Sequence, residues 1–123
     1  MARVDREEVV GKLYEEAKLP PSFFWNFAED DEAVRIISFV AGFFSIPVED
    51  LISQSRKREI LRPRQWSIFF IRELTDLSLS EIGSYFTNKD HSTVLHSCKT
   101  IKNFMSIYSA DRKIYKIIKN HLE

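Results

Sequence analysis

The sequence predicts an all-α protein, a compact helical bundle containing a helix-turn-helix, preceded by an N-terminal helical extension. Three observations predict this. Apolar residues recur at helical spacing along most of the chain. Only 3 Gly and 4 Pro interrupt its 123 residues, beside 10 Phe and a hydrophobic fraction of 44%, a composition that argues against disorder. Near residue 87 two short helical patterns flank a polar three-residue turn, which is the helix-turn-helix arrangement. The length suits one domain with an appendage, divided here into an acidic, aromatic extension over 1–31 and a helix-turn-helix unit over 32–123.

In chain order, Val9, Val10, Leu13, Tyr14 and Ala17 lie among charged residues at helical spacing, so residues 6–18 read as an amphipathic helix ended by Pro20 and Pro21. Phe23, Phe24, Trp25 and Phe27 follow. They either dock a short helix onto the bundle or offer a surface to a protein partner. Residues 32–44 carry Ile36, Ile37, Phe39, Val40, Phe43 and Phe44, too apolar for a helix with only one buried face. Pro47 interrupts them, and residues 48–52 form a short helix. A longer helix covers about 60–75, with Ile60, Trp66, Phe69, Phe70, Ile71 and Leu74 inward and Pro63 expected in its first turn, where a missing N–H costs nothing.

Ser78 and Glu81 have the spacing of a capping box, so a helix begins at Leu79, with Leu79, Ile82 and Phe86 on one face and Gly83 permitting a close crossing. Thr87-Asn88-Lys89 makes the turn, helped by the tolerance of Asn for left-handed backbone. Asp90 caps the next helix, which runs to about Ser106 and buries Val94, Leu95, Cys98, Ile101 and Met105. A last helix, capped by Asp111, turns Ile114, Ile117, Ile118 and Leu122 inward.

The formal net charge of zero hides a division along the chain. Residues 1–50 hold 5 Lys+Arg against 11 Asp+Glu, and residues 51–123 hold 13 against 7. Because screening acts over about 8–10 Å at ordinary salt, the basic half can attract phosphates whatever the total. The most apolar stretch is too short to span a bilayer, and the single Cys98 excludes an internal disulfide framework or a multi-cysteine metal site. These features lead us to expect a cytoplasmic, nucleoid-associated protein with no membrane partner.

The start of the helix after the turn has the right chemistry for bases. First-turn residues of a recognition helix project deepest into the major groove. Asp90 can accept from a cytosine amino group, His91 and Ser92 can bond base edges, and the Thr93 methyl can touch a thymine methyl. The plainer alternative is a capping Asp followed by solvated residues. Upstream, Arg56, Lys57, Arg58, Arg62 and Arg64 put five cations in nine residues ahead of a helix, which fits phosphate contact or Arg insertion into a narrow A/T minor groove. A solvated charged surface would look the same in isolation.

Taken together, Arg56-Lys57-Arg58, Arg62-Pro63-Arg64-Gln65, Ser78-Leu79-Ser80-Glu81-Ile82-Gly83 and Asp90-His91-Ser92-Thr93-Val94-Leu95-His96 resemble, in order, the motifs of the C-terminal DNA-binding domain of the bacterial replication initiator DnaA. The resemblance runs from about Ile37 to Leu122 and implies a TrpR-like helix-turn-helix that binds double-stranded DNA at DnaA-box-like sites. It implies base contacts by Arg56 in the minor groove and by Asp90, His91 and Ser92 in the major groove. Thr93, Arg64 and Arg72 fall where such domains meet the DNA backbone, and Lys89 stands in place of the usual Arg. With Lys57, Arg58, Arg62, His96 and Lys99, these make up the expected backbone contacts.

Two departures accompany the resemblance. The Gly-Gly-Arg usual before Asp-His is here Thr87-Asn88-Lys89, and nothing matches the G-x-x-x-x-G-K-[ST] phosphate loop of the initiator's ATPase domain. The expectation is therefore a free-standing module with no nucleotide and no cofactor, acting on replication initiation, at an origin, or on transcription. A second reading is a protein-interaction module that has kept the fold, with residues 1–31 as its working surface. An enzyme is not expected. Asp90, His91 and Ser92 are consecutive on one helix and fan apart, unlike a hydrogen-bonded triad, and His91 and His96 miss the i, i+4 spacing of helical metal ligands.

Overall fold

A computed structural model describes residues 31–123, which form six helices and no strand: α1 (Glu32–Phe43), α2 (Val48–Leu51), α3 (Arg58–Leu74), α4 (Leu79–Ser84), α5 (His91–Ile107) and α6 (Ser109–Leu122). The helix expected at 6–18 and the aromatic cluster at 23–27 lie outside the described residues. Asp31 caps α1, accepting from the backbone N–H groups of Ala33 at 2.8 Å and Val34 at 3.3 Å. These are among the amides that a helix start leaves without partners.

The bundle is organised around α3, which packs against α1, α2, α4 and α5. Every residue from Pro63 to Ile71 is buried, so the middle of this helix is enclosed on all sides. Ile68, absent from the apolar face expected of this helix, is fully buried with the rest. Its aromatic rings interlock: Trp66 lies 5.7 Å from Phe70, and Phe70 stacks on Tyr115 of α6 at 5.7 Å. Tyr115 also donates to Glu73 at 2.9 Å. Arg35 on α1 donates to the Leu122 carbonyl at 2.8 Å, tying the first described helix to the end of the last. Buried large apolar side chains are worth about 1.5–3 kcal/mol each, so this core determines how the surface helices sit.

Four local expectations are corrected. α3 begins at Arg58 and not near residue 60, because the Lys57 carbonyl already accepts from the N–H groups of Ile60 (3.0 Å) and Leu61 (2.8 Å). Pro63 therefore sits in the second turn. It removes a partner from the Glu59 carbonyl, and Glu59 is exposed, where water can supply the bond. The cap of α6 is Tyr108, and Asp111 lies buried in the first turn, with its carboxylate 3.6 Å from Arg62. Ile117, expected inward, is 46% exposed. Cys98 is buried, and burial pushes its thiol pKa up, away from the thiolate that a reactive cysteine needs.

Candidate nucleic-acid interface

The helix-turn-helix is α4, the turn and α5. Ser78 and Glu81 close the capping box reciprocally: Ser78 Oγ accepts from the Glu81 N–H at 3.1 Å, and a Glu81 carboxylate oxygen accepts from the Ser78 N–H at 3.2 Å. Ile82 and Phe86 drive this short helix onto the core, both fully buried. The turn then takes left-handed backbone twice in succession, at Thr87 (φ 60°) and Asn88 (φ 53°). It closes back on α4, since the Gly83 carbonyl accepts from the N–H groups of Phe86 (3.0 Å) and Lys89 (3.1 Å). The close approach expected at Gly83 is made by the turn: a Cβ built there would lie 1.9 Å from the Lys89 carbonyl oxygen.

Asp90 caps α5, its Oδ1 accepting from the Thr93 N–H at 2.8 Å. Hydrogen bonds from the Thr93 backbone and hydroxyl hold the Asp90 carboxyl below its ordinary pKa, so at neutral pH it is ionised and only accepts. A carboxylate offers about four lone-pair sites, so capping does not exhaust it. His91, Ser92 and Thr93 are exposed at the start of α5, whereas Val94, Cys98 and Ile101 anchor the opposite side of the helix in the core. A shallow recess between α4 and α5 is lined by Ser80, Ser84, Asn88, Lys89, Asp90 and His91. His96 and Lys99 are exposed further along α5, with His96 Nε2 3.5 Å from the Thr100 hydroxyl.

The basic run forms the loop between α2 and α3 and the start of α3. Arg56, Lys57 and Arg58 are exposed, and none makes an ion pair among the described residues. Lys89, half-buried in the turn, belongs to the same electrostatic neighbourhood. Burial first, then the charges of Arg64 and Arg56, holds its ammonium below the ordinary pKa. Loop and turn thus share one cationic corner.

Two of the expected backbone contacts are placed differently. Arg64 is only 3% exposed. Its Nε donates to the Leu51 carbonyl at 2.8 Å, one terminal nitrogen to the Ser55 carbonyl at 2.7 Å, and the other to the Asp50 carbonyl at 3.2 Å and Ser53 Oγ at 3.4 Å. A guanidinium so occupied holds the loop's backbone and has no free face for phosphate. Arg62 lies over the Phe104 ring, 3.8 Å from its centroid, beside the buried Asp111, where it links α3 to α5 and α6. Arg72 is exposed in the last turn of α3.

Residues 33–101 match the family described as the bacterial dnaA protein helix-turn-helix. The chain belongs to that family. The matched segment runs from α1 through the first part of α5 and includes the basic loop, the capping box and the turn. Helix α6, which completes the core through Tyr115, Ile118 and Leu122, lies beyond it. The family is one of DNA-binding helix-turn-helix domains rather than of catalytic ones. No group of His, Cys, Asp or Glu among the described residues is arranged to hold a metal ion, and no described helix is long and apolar enough to cross a membrane.

Proposed function

We propose that residues 32–123 bind double-stranded DNA in a sequence-specific manner at DnaA-box-like sites, and thereby influence replication initiation or transcription. The observation that carries this reading is the conjunction of an exposed, capped helix start and an exposed cationic loop at one corner of the fold. Asp90, His91 and Ser92 meet base edges in the major groove. Arg56 enters an adjacent narrow minor groove. Lys57, Arg58, Arg72, Lys89, Thr93, His96 and Lys99 serve the backbone. Residues 1–31 form a separate acidic segment, whose aromatic cluster suits packing on the bundle or a protein partner. The module acts without nucleotide or cofactor, with DNA as its partner and the nucleoid as its place.

The test is selection of bound duplexes from random sequence, followed by titration of variants. Wild type should recover A/T-rich sites with a common core. His91→Ala should relax discrimination at one base pair by about 1–3 kcal/mol. Arg56→Ala should weaken binding most on duplexes with narrow A/T minor grooves, whereas Lys57→Ala should weaken every duplex alike and reduce the salt slope by about 1. Identical losses on cognate and scrambled duplexes for all three variants would overturn the assignment of base readers. The protein-interaction reading predicts instead no preferred duplex at any salt.

A further inference from the structure

We propose that the Thr87 hydroxyl is a positioning tie that holds the basic loop in register with the recognition helix, so that Arg56 and His91 reach their two grooves together; this rests on the DNA-binding reading above. The two groups sit on separate segments, Arg56 between α2 and α3 and His91 at the start of α5. Their separation is therefore set by tertiary contacts. Thr87 Oγ1, in the turn of the helix-turn-helix, donates to the Ile52 carbonyl, which opens the basic loop 35 residues earlier in sequence. Among the described residues this is the side-chain hydrogen bond that joins the loop to the helix-turn-helix. Arg64 also holds the end of α2 and the loop, through the carbonyls of Asp50, Leu51 and Ser55, but belongs to α3.

The backbone at Thr87 carries a local disadvantage. With φ 60° the residue is left-handed, a conformation in which a β-branched side chain is a genuine outlier. Asn88, also left-handed, tolerates it better because its short polar side chain can bond locally. Glycine would suit the turn at Thr87 better than threonine does, but it has no hydroxyl to reach Ile52. Strain of this kind persists where the surrounding structure over-determines it. The functional consequence follows from groove geometry: successive phosphates along one strand advance about 3.4 Å along the helix axis, so a loop released by that distance presents Arg56 to the wrong base step.

The experiment uses the full chain with Thr87→Val and Thr87→Ser, each alone and combined with Arg56→Ala. The probe is the duplex selected by wild type from random sequence. Arg56→Ala should cost about tenfold in affinity in the wild-type background and about twofold or less in the Thr87→Val background, because an untied Arg56 has already lost its contact. Thr87→Ser, which keeps the hydroxyl, should restore the full Arg56 effect. Amide hydrogen exchange without DNA supplies an independent readout: residues 53–57 should exchange faster in Thr87→Val than in wild type or Thr87→Ser. A merely structural role for Thr87 would lower affinity in every background by the same factor and leave the Arg56 effect at tenfold, which would overturn the proposal, as would equal behaviour of Thr87→Ser and Thr87→Val. If wild type selects no duplex, the DNA-binding reading falls and this proposal with it, whereas a selected duplex with additive losses sinks the tie alone.

Discussion

Gly83→Ala should destabilise the protein by about 3 kcal/mol and abolish DNA binding at temperatures where the wild type still binds. Two effects oppose each other at this position. Alanine is the better helix former by about 1 kcal/mol, and Gly83 lies within α4 with ordinary helical backbone. Against that gain, the new Cβ would stand 1.9 Å from the Lys89 carbonyl oxygen and 3.0 Å from its carbon. The obstructing atoms are backbone and cannot swing aside like the end of a long side chain. Relief requires moving the turn, which would stretch the Lys89 N–H to Gly83 carbonyl bond of 3.1 Å and displace Asp90 with it. Denaturant unfolding followed by circular dichroism measures the sum, with the change expected in the midpoint rather than in the slope. A midpoint equal to or above wild type would show that the turn relaxes freely, and the close approach would then have no energetic meaning.

Arg64→Ala should cost about 3 kcal/mol in stability and lower DNA affinity without altering the intrinsic charge of the exposed loop. The substitution removes the donors that serve the Asp50, Leu51 and Ser55 carbonyls. A buried acceptor left unpaired costs about 1–3 kcal/mol, and water entering the partly exposed loop offsets some of that. Arg64→Lys should recover only a fraction, since a single ammonium cannot span carbonyls that the planar guanidinium reaches at once. Direct phosphate contact predicts the opposite pattern: stability unchanged, a salt slope lower by about 1, and a Lys substitution that works almost as well as Arg. Thermal melts together with salt titrations of binding distinguish the two. Buried and fully engaged as it is, Arg64 should behave as the loop's internal support.

Much of the candidate site was legible because its signals are local. The Ser78 and Glu81 pair announces a helix start through bonds made within four residues, and Asp90 does the same for α5. The burial of Val94, Cys98 and Ile101 follows from helical periodicity, which places Ser92, His96 and Lys99 elsewhere on the helix. The ordered run of motifs from Arg56 to His96 carried the family resemblance, and the matched segment 33–101 bears it out.

Sequence alone determined that the described chain is helical, where most of the described helices lie, and where the helix after the Thr87 turn starts, since caps, periodicity and turn residues act over a few positions. Only the tertiary structure decided what each cation does. Arg56, Arg62 and Arg64 are chemically alike and close together in the chain, yet one is exposed, one lies over Phe104 beside Asp111, and one is buried among loop carbonyls. A guanidinium takes its role from the acceptors and rings that the fold brings within about 4 Å, and those partners come from up to 49 residues away, as Asp111 does for Arg62. The left-handed Thr87 and its reach to Ile52 were hidden for the same reason. No local rule places threonine in a left-handed turn position, and its partner, the Ile52 carbonyl, lies 35 residues away in the chain.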